Sequence, residues 1–180
     1  MRSALFISLV AIVSALVPAQ NWTADASKAK VLFTVKGPWP FGTVHGRFTG
    51  LKATIRFDEK DLPGSAVSAS IDATTVSTGI DLRNRDLRKK EEWLDTDKYP
   101  LISFKSTKIE KAASDYKAVG ELTLKGTTRP VEIPFSFTAS GSTGVFKGNF
   151  TINREDYKVG HPGGSVGTTI TIELEVPVSK

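Results

Sequence analysis

The chain has 180 residues, a formal charge of +5, two histidines and no cysteine. That length suits a single domain that can bury a core without disulfides, and the missing thiols exclude cysteine catalysis, disulfide exchange and thiolate metal sites. The positive charge is spread along the chain, so it marks no footprint for nucleic acid and at most a mild preference for anionic surfaces or ligands.

Residues 1–19 read as a targeting segment. Arg2 supplies a positive start, Ala4 to Val17 is an almost unbroken apolar run, and Val17-Pro18-Ala19 puts small residues where a signal peptidase reads. A membrane span needs ~20 apolar residues and this run is about 14, so it is too short to stay in a bilayer. The expectation is export to the periplasm with cleavage after Ala19, leaving residues 20–180 as the folded domain. No other stretch is apolar enough to span a membrane.

After the cut, apolar and polar residues alternate, the period of a strand with one buried face. Val31, Phe33 and Val35 share a face, and the turn-rich stretch Gly37–Gly42 carries Trp39 and Phe41. Val44, Gly46, Phe48 and Gly50 follow, then Ala53, Ile55 and Phe57, and the chain breaks at Asp58–Ser65. Val67, Ala69, Ile71 and Ala73 alternate with Ser68, Ser70, Asp72 and Thr74.

Residues 78–100 interrupt this pattern. The stretch has almost no β-branched residues and is charged at roughly every second position, which favours helix over strand, and Pro100 marks its end. Ile80, Leu87 and Leu94 recur every seven residues, with Leu82 and Trp93 beside them. So narrow a stripe can lie on a surface but cannot form a core. The expectation is a short helix or helical loop laid across one opening of a β-structure. Its charges balance, six against six, so the local field is mixed and short-ranged.

Alternation resumes with Ile102 and Phe104, then Ala118, Gly120, Leu122 and Leu124, before a turn at Gly126–Pro130. Val131, Ile133, Phe135 and Phe137 share the next face. Pro134 lies among them without an amide donor, so this strand is expected to be at an edge or distorted there. A hairpin signal at Ser140–Gly144 leads to Phe146, Gly148, Phe150 and Ile152. After the loop holding His161, the last strand alternates from Val166 through Ile170 and Ile172 to Val176. About eight strands with one apolar face each imply an all-β antiparallel sheet, closed as a barrel or split into a sandwich.

The inward face mixes phenylalanines with glycines and alanines. Such a lining can leave a channel between aromatic walls, or its small residues can receive rings from across a filled barrel. Pattern alone leaves both open. If a cavity forms, the lumen candidates are Phe33, Val35, Phe48, Phe57, Ile71 and Phe104 in the first half of the chain. Leu122, Phe135, Phe137, Phe150, Ile170 and Ile172 are those of the second half. Mouth or headgroup candidates are Trp39, Phe41, Arg83 and Trp93. An apolar lining would suit a hydrocarbon chain, because it can satisfy no polar substrate.

Signatures of catalysis are missing. No HExxH, GxGxxG or P-loop spacing occurs, and His45 and His161 are isolated, which argues against a metal or cofactor site. Arg154, Glu155 and Asp156 read as a surface pairing or a turn hydrogen bond. The chain is therefore expected to be a binding protein and not an enzyme. A lipid-modifying enzyme would need a polar constellation in the lumen. A filled-barrel interaction module would instead dock partners through Trp39, Phe41 or the helical segment.

In order and spacing, several short motifs resemble one known family. They are Phe33 with Val35, Val44-x-Gly46-x-Phe48, Ile55-x-Phe57-Asp58, Thr78-Gly79, Arg83 and Leu87-Arg88. Asp95-x-x-Lys98-Tyr99-Pro100-x-Ile102-Ser103-Phe104 follows, then Gly120-Glu121-Leu122-Thr123-Leu124-x-Gly126-Thr127-Thr128 and Asn153-Arg154-x-Asp156-Tyr157. The chain resembles the YceI-like, polyisoprenoid-binding family over essentially all of residues 20–180. The resemblance implies a lipocalin-like eight-stranded antiparallel β-barrel with one short helical segment. It implies a ligand in the lumen, an isoprenoid or other long-chain lipid of quinone or fatty-acyl type. Nucleic acid is not an implied partner, and a homodimer stays open. Two departures stand out: the family's usual Arg-Asp-x-His-Leu is Arg83-Asn84-Arg85-Asp86-Leu87 here, and Leu87 to Asp95 is one residue longer than common. If that segment shapes the mouth, the departures bear on which ligand is taken.

Overall fold

A computed structural model describes residues 20–38, 40, 42–113 and 115–180. The expected leader (residues 1–19), Trp39 and Phe41 lie outside the described residues. The alternating stretches form strands β1 (Asn21–Ala24), β2 (Lys30–Lys36), β3 (Thr43–Phe48), β4 (Lys52–Arg56) and β5 (Ala66–Asp72). After the helix α1 (Asp81–Lys89) come β6 (Leu101–Ala112), β7 (Asp115–Leu124), β8 (Thr127–Ser140), β9 (Thr143–Asn153) and β10 (Thr169–Ser179).

Two pairs of these strands each act as one stave of a barrel. β1 and β2 both run antiparallel to β10, at Thr23↔Ser179 and from Val35↔Ile170 to Lys30↔Glu175. Between them the chain kinks where the Asp25 carboxylate accepts from the Ser27 amide at 3.1 Å and its hydroxyl at 2.6 Å. β3 and β4 are separated by Thr49–Leu51, where Gly50 takes φ +73°. β1 pairs with β4 as well as with β10, which closes the ring. The result is the expected antiparallel barrel of eight staves with one helix, and closure leaves few sheet edges to protect.

Turn chemistry shifts two boundaries. The expected turn over Gly126–Pro130 contracts to Lys125-Gly126, both at positive φ (+48° and +69°), and β8 is already paired at Thr127. Two positive-φ residues make the tight loop whose twist matches a hairpin. β10 starts at Thr169 and not at Val166, because residues 158–168 are held as a loop. β1 is too short for its alternation to be read.

The charged stretch splits into α1 and a series of turns folded back on it. The Leu94 amide donates to the Leu87 carbonyl at 2.9 Å, and the Thr96 amide to that of Arg88 at 2.8 Å. Ile80, at the N-cap, has no side-chain cap. The buried Asn84 anchors this end instead, its Oδ1 accepting from the Thr78 amide at 2.7 Å and the Thr78 hydroxyl at 2.8 Å. Of the apolar stripe, Leu94 is buried and Leu87 packs on the core, whereas Ile80 and Leu82 are exposed.

The end of the barrel away from α1 is filled. Phe57, 1% exposed, sits among Tyr116, Phe135, Phe137 and Phe146 with ring centroids 5.1–5.6 Å away, all near-perpendicular. Trp22 packs edge-on against Phe137 at 5.0 Å and donates its indole N–H to the Phe57 carbonyl at 3.0 Å. Edge-to-face rings add to plain area burial, so this cluster is a rigid floor.

Candidate ligand cavity

Above that floor the barrel is hollow. A cavity of about 270 Å³ runs up to α1. Packed interiors rarely hold voids larger than one water, which needs ~10–15 Å³ measured the same way, so this space is some twenty times a packing defect. Its walls are Phe33, Phe48, Phe104, Phe135, Phe146 and Phe150, with Ile, Leu and Val between them.

Small residues play two different roles in this wall. Gly46 stands directly opposite Phe33, whose ring occupies the place a Cβ would take. A Cβ on Gly120 would lie 2.8 Å from the Phe104 ring, and one on Gly144 would lie 2.7 Å from that of Phe137. These glycines receive rings from neighbouring strands. Ala53, Ala69 and Gly148 instead border the cavity and leave it its width. Both readings of the mixed face therefore hold, at different positions.

The structure brings ten of the twelve lumen candidates to the cavity: Phe33, Val35, Phe48, Ile71, Phe104, Leu122, Phe135, Phe150, Ile170 and Ile172. Phe57 and Phe137 do not line it, because both are spent in the aromatic floor. Trp93 lines the cavity from the turns after α1. Arg83 is half-buried on α1 and does not border it. Val76, Val159 and Val166 also line the cavity. Val76 and Val159 sit in irregular segments, where no period could point to them, whereas Val166 shares the inward period of the last strand but lines the cavity from the loop before β10.

Arg154 corrects the expectation of a surface pairing. It is 2% exposed and lies at the cavity's roofed end. Its Nε donates to the Gly167 carbonyl at 2.9 Å, Nη1 to Val159 at 2.7 Å, and Nη2 to Val166 at 2.9 Å. The His161 carbonyl and the Glu155 carboxylate, 3.3–3.4 Å away, take the remaining donor capacity. A rigid fork with five donors can hold a loop of carbonyls in this way; a lysine could not. Beside it Gly160, at φ +75°, fits against Trp93, and its amide donates to the Glu92 carbonyl. Lys125 Nζ donates to the Lys158 carbonyl at 2.7 Å, and burial holds its pKa below the usual lysine value. Loop 158–168, the turns after α1 and the β7–β8 turn thus form one roof.

The roofed cavity offers little chemistry. Apart from Arg154, its polar lining residues are Ser103 and Lys147, both at outward register positions; Lys147 pairs with Glu175 at 3.6 Å. Among the described residues no group of three or more His, Asp or Glu could hold a metal ion, and no buried side-chain polar atom lacks a partner. Such an enclosure can remove hydrocarbon from water and can hold no polar group unpaired.

The sequence profile of the YceI-like domain matches residues 22–178. The chain belongs to the YceI-like family. Its relatives include a UPF0312 protein of Yersinia enterocolitica, 30% identical over 142 residues, which cover 76% of this chain and 73% of that protein. Protein YceI of Escherichia coli is 34% identical over 101 residues, 56% of this chain and 52% of its own. Among solved structures, BcnA of Burkholderia cenocepacia superposes with a TM-score of 0.80 at 26% identity, over 87% of this chain and 99% of its own. A polyisoprenoid binding domain from Saccharophagus degradans, implicated in plant cell wall breakdown, gives 0.66 at 16% identity over 88% and 97%, a likeness of fold alone.

In this YceI-like barrel the motifs mostly build the roof. Asn153 Oδ1 accepts from the Glu155 amide at 3.0 Å and starts the 3-10 turn Arg154–Tyr157. The Tyr99 ring packs on Gly126, and the Pro100 carbonyl accepts from Ala73 at 2.8 Å. Asp86, where histidine is usual, pairs with Lys90 at 2.9 Å and does not line the cavity. Neither departing residue of α1, Asn84 or Asp86, lines the cavity.

Proposed function

We propose that this chain is an exported, non-catalytic carrier that holds a long apolar lipid, of polyisoprenoid, quinone or fatty-acyl type, in the barrel. The observation that carries this reading is the cavity itself, closed at one end by rings and lined by apolar side chains. Burying about ten methylenes at ~0.8 kcal/mol each gives a gross ~8 kcal/mol, which approaches micromolar affinity if ordering costs stay small. The fold it shares with a domain described as polyisoprenoid-binding supports the same reading. Export to the periplasm, with cleavage after Ala19, is part of the proposal, because a carrier outside the cytoplasm would need the leader that residues 1–19 resemble.

The alternative, a filled barrel serving as an interaction module, leaves a 270 Å³ hollow without a purpose. Titration with a fluorescent polyene fatty acid separates the two. The wild-type chain should bind about one equivalent with micromolar affinity, and Ala69→Trp, which puts an indole into the cavity, should weaken binding at least tenfold while the fold melts normally. Equal binding by both proteins would place the ligand elsewhere and overturn the proposal.

A further inference from the structure

Two consecutive staves of this barrel come apart. β7 and β8 are paired from Leu124↔Thr127 to Tyr116↔Phe135, and β9 and β10 from Thr143↔Ser179 to Asn153↔Thr169. β8 and β9, by contrast, are paired only from Ser140↔Thr143 up to Phe135↔Gly148. Above that rung no ladder joins residues 127–134 to residues 149–153. The other interruption, between β3 and β5, is spanned by hydrogen bonds between Arg47 and Ser77 at 2.9 Å in both directions.

The sequence accounts for this opening. In an extended strand, alternate residues turn their N–H and C=O to the same side. The Pro134 carbonyl oxygen lies 3.2 Å from where a Cβ of Gly148 would stand, so Pro134 faces β9, and Pro130 four residues earlier faces it too. Neither has an N–H to give, so two of the three rungs that would continue the ladder, those at Pro134 and Pro130, lack their β8 donor, and only Glu132 between them keeps one. The inner lip of the seam, Ile133, Phe150 and Ile152, belongs to the cavity wall. Gly148 borders both the cavity and an outer groove that takes in Pro134, Lys147 and Asn149. At the top, the Arg154–Tyr157 turn caps the seam, with Arg129 Nε donating to the Asp156 carbonyl at 3.3 Å.

We propose that the β8–β9 seam is a side portal through which a long hydrocarbon chain passes between the cavity and the outer groove. Parting the strands above Pro134 and Asn149 breaks no β8–β9 ladder hydrogen bond, and the inner lip of the passage is aliphatic and aromatic. Lifting the roof would instead strip Arg154 of its carbonyl partners and separate Gly160 from Glu92 and Lys125 from Lys158. The portal rests on the reading of the cavity as a lipid site.

Two experiments test it. Glu132→Cys/Thr151→Cys places the only two thiols of the chain across the seam, where a short bis-maleimide linker holds the strands at their resting separation. With a fluorescent polyene fatty acid as probe, linking should slow uptake and release at least tenfold and leave the amount bound unchanged. The same linker across the zipped rung, in Thr138→Cys/Val145→Cys, should change neither rate. Equal rates for the linked and unlinked seam would overturn the portal alone. Absence of uptake by the wild-type chain would overturn the lipid site and the portal with it. In amide hydrogen exchange of the wild-type chain, Thr151, turned toward β8 above the last rung, should exchange much faster than Phe150 and Ile152, turned toward β10. Equal protection at all three would mean that the seam is zipped and contradict the portal.

Discussion

Replacing Arg154 by lysine keeps a charge at the roof but removes the planar fork that reaches the Val159, Val166 and Gly167 carbonyls together. Each buried carbonyl left without a donor costs ~1–3 kcal/mol, so Arg154→Lys should lose ~3 kcal/mol or more in denaturant unfolding. Its cost should appear first as rapid amide exchange in residues 158–168. A second effect belongs to single side chains. Burial pushes the phenols of Tyr116 and Tyr157 above their ordinary value of 10.0, helped by Glu59 at Tyr116 and by the Asp156 charge at Tyr157. Above pH 10 the unfolded chain releases phenolic protons that the folded chain still holds. The stability these groups confer is therefore full below pH 10 and is lost as pH rises through the raised folded values. Tyr157→Phe should flatten the alkaline limb of the stability–pH curve; an unchanged limb would show that its phenol titrates normally.

At the scale of elements, the strands were legible because alternation is a direct record of a sheet with one dry face. Pro134 likewise announced the point where β8 loses its partner, since a missing donor can be read from the residue type. The helix was legible as a type but not in its details. Its position over the opening followed from charge and a sparse stripe, yet nothing in the stripe distinguished Leu87 and Leu94, which face inward, from Ile80 and Leu82, which do not. Asn84 was equally opaque, because its worth depends on Thr78 coming within hydrogen-bonding reach after the chain turns. Asn84→Ala should cost ~1–2 kcal/mol by leaving the Thr78 donors unpaired. It should raise exchange in α1 more than in the barrel, whereas a uniform rise would mean that the anchor is not local.

For the molecule as a whole, fold and site were unequally legible. About eight antiparallel strands follow from counting alternating segments and their closure into a barrel from the family resemblance, but the division into a solid floor and a hollow upper half follows from neither. Phe57 and Phe137 read like any other inward phenylalanine; only their three-dimensional meeting with Tyr116 and Phe146 takes them out of the lumen. Arg154 was misread for a related reason, since a charged residue in a turn is exposed by default and only the fold of loop 158–168 gathers carbonyls around it. The central claim is that the hollow half holds a lipid chain. Native mass spectrometry of the protein purified from a lipid-containing extract tests it most directly. The account expects one exchangeable lipid per chain, lost in Ala69→Trp; a bare polypeptide mass from every extract, with no lipid taken up on addition, would contradict it.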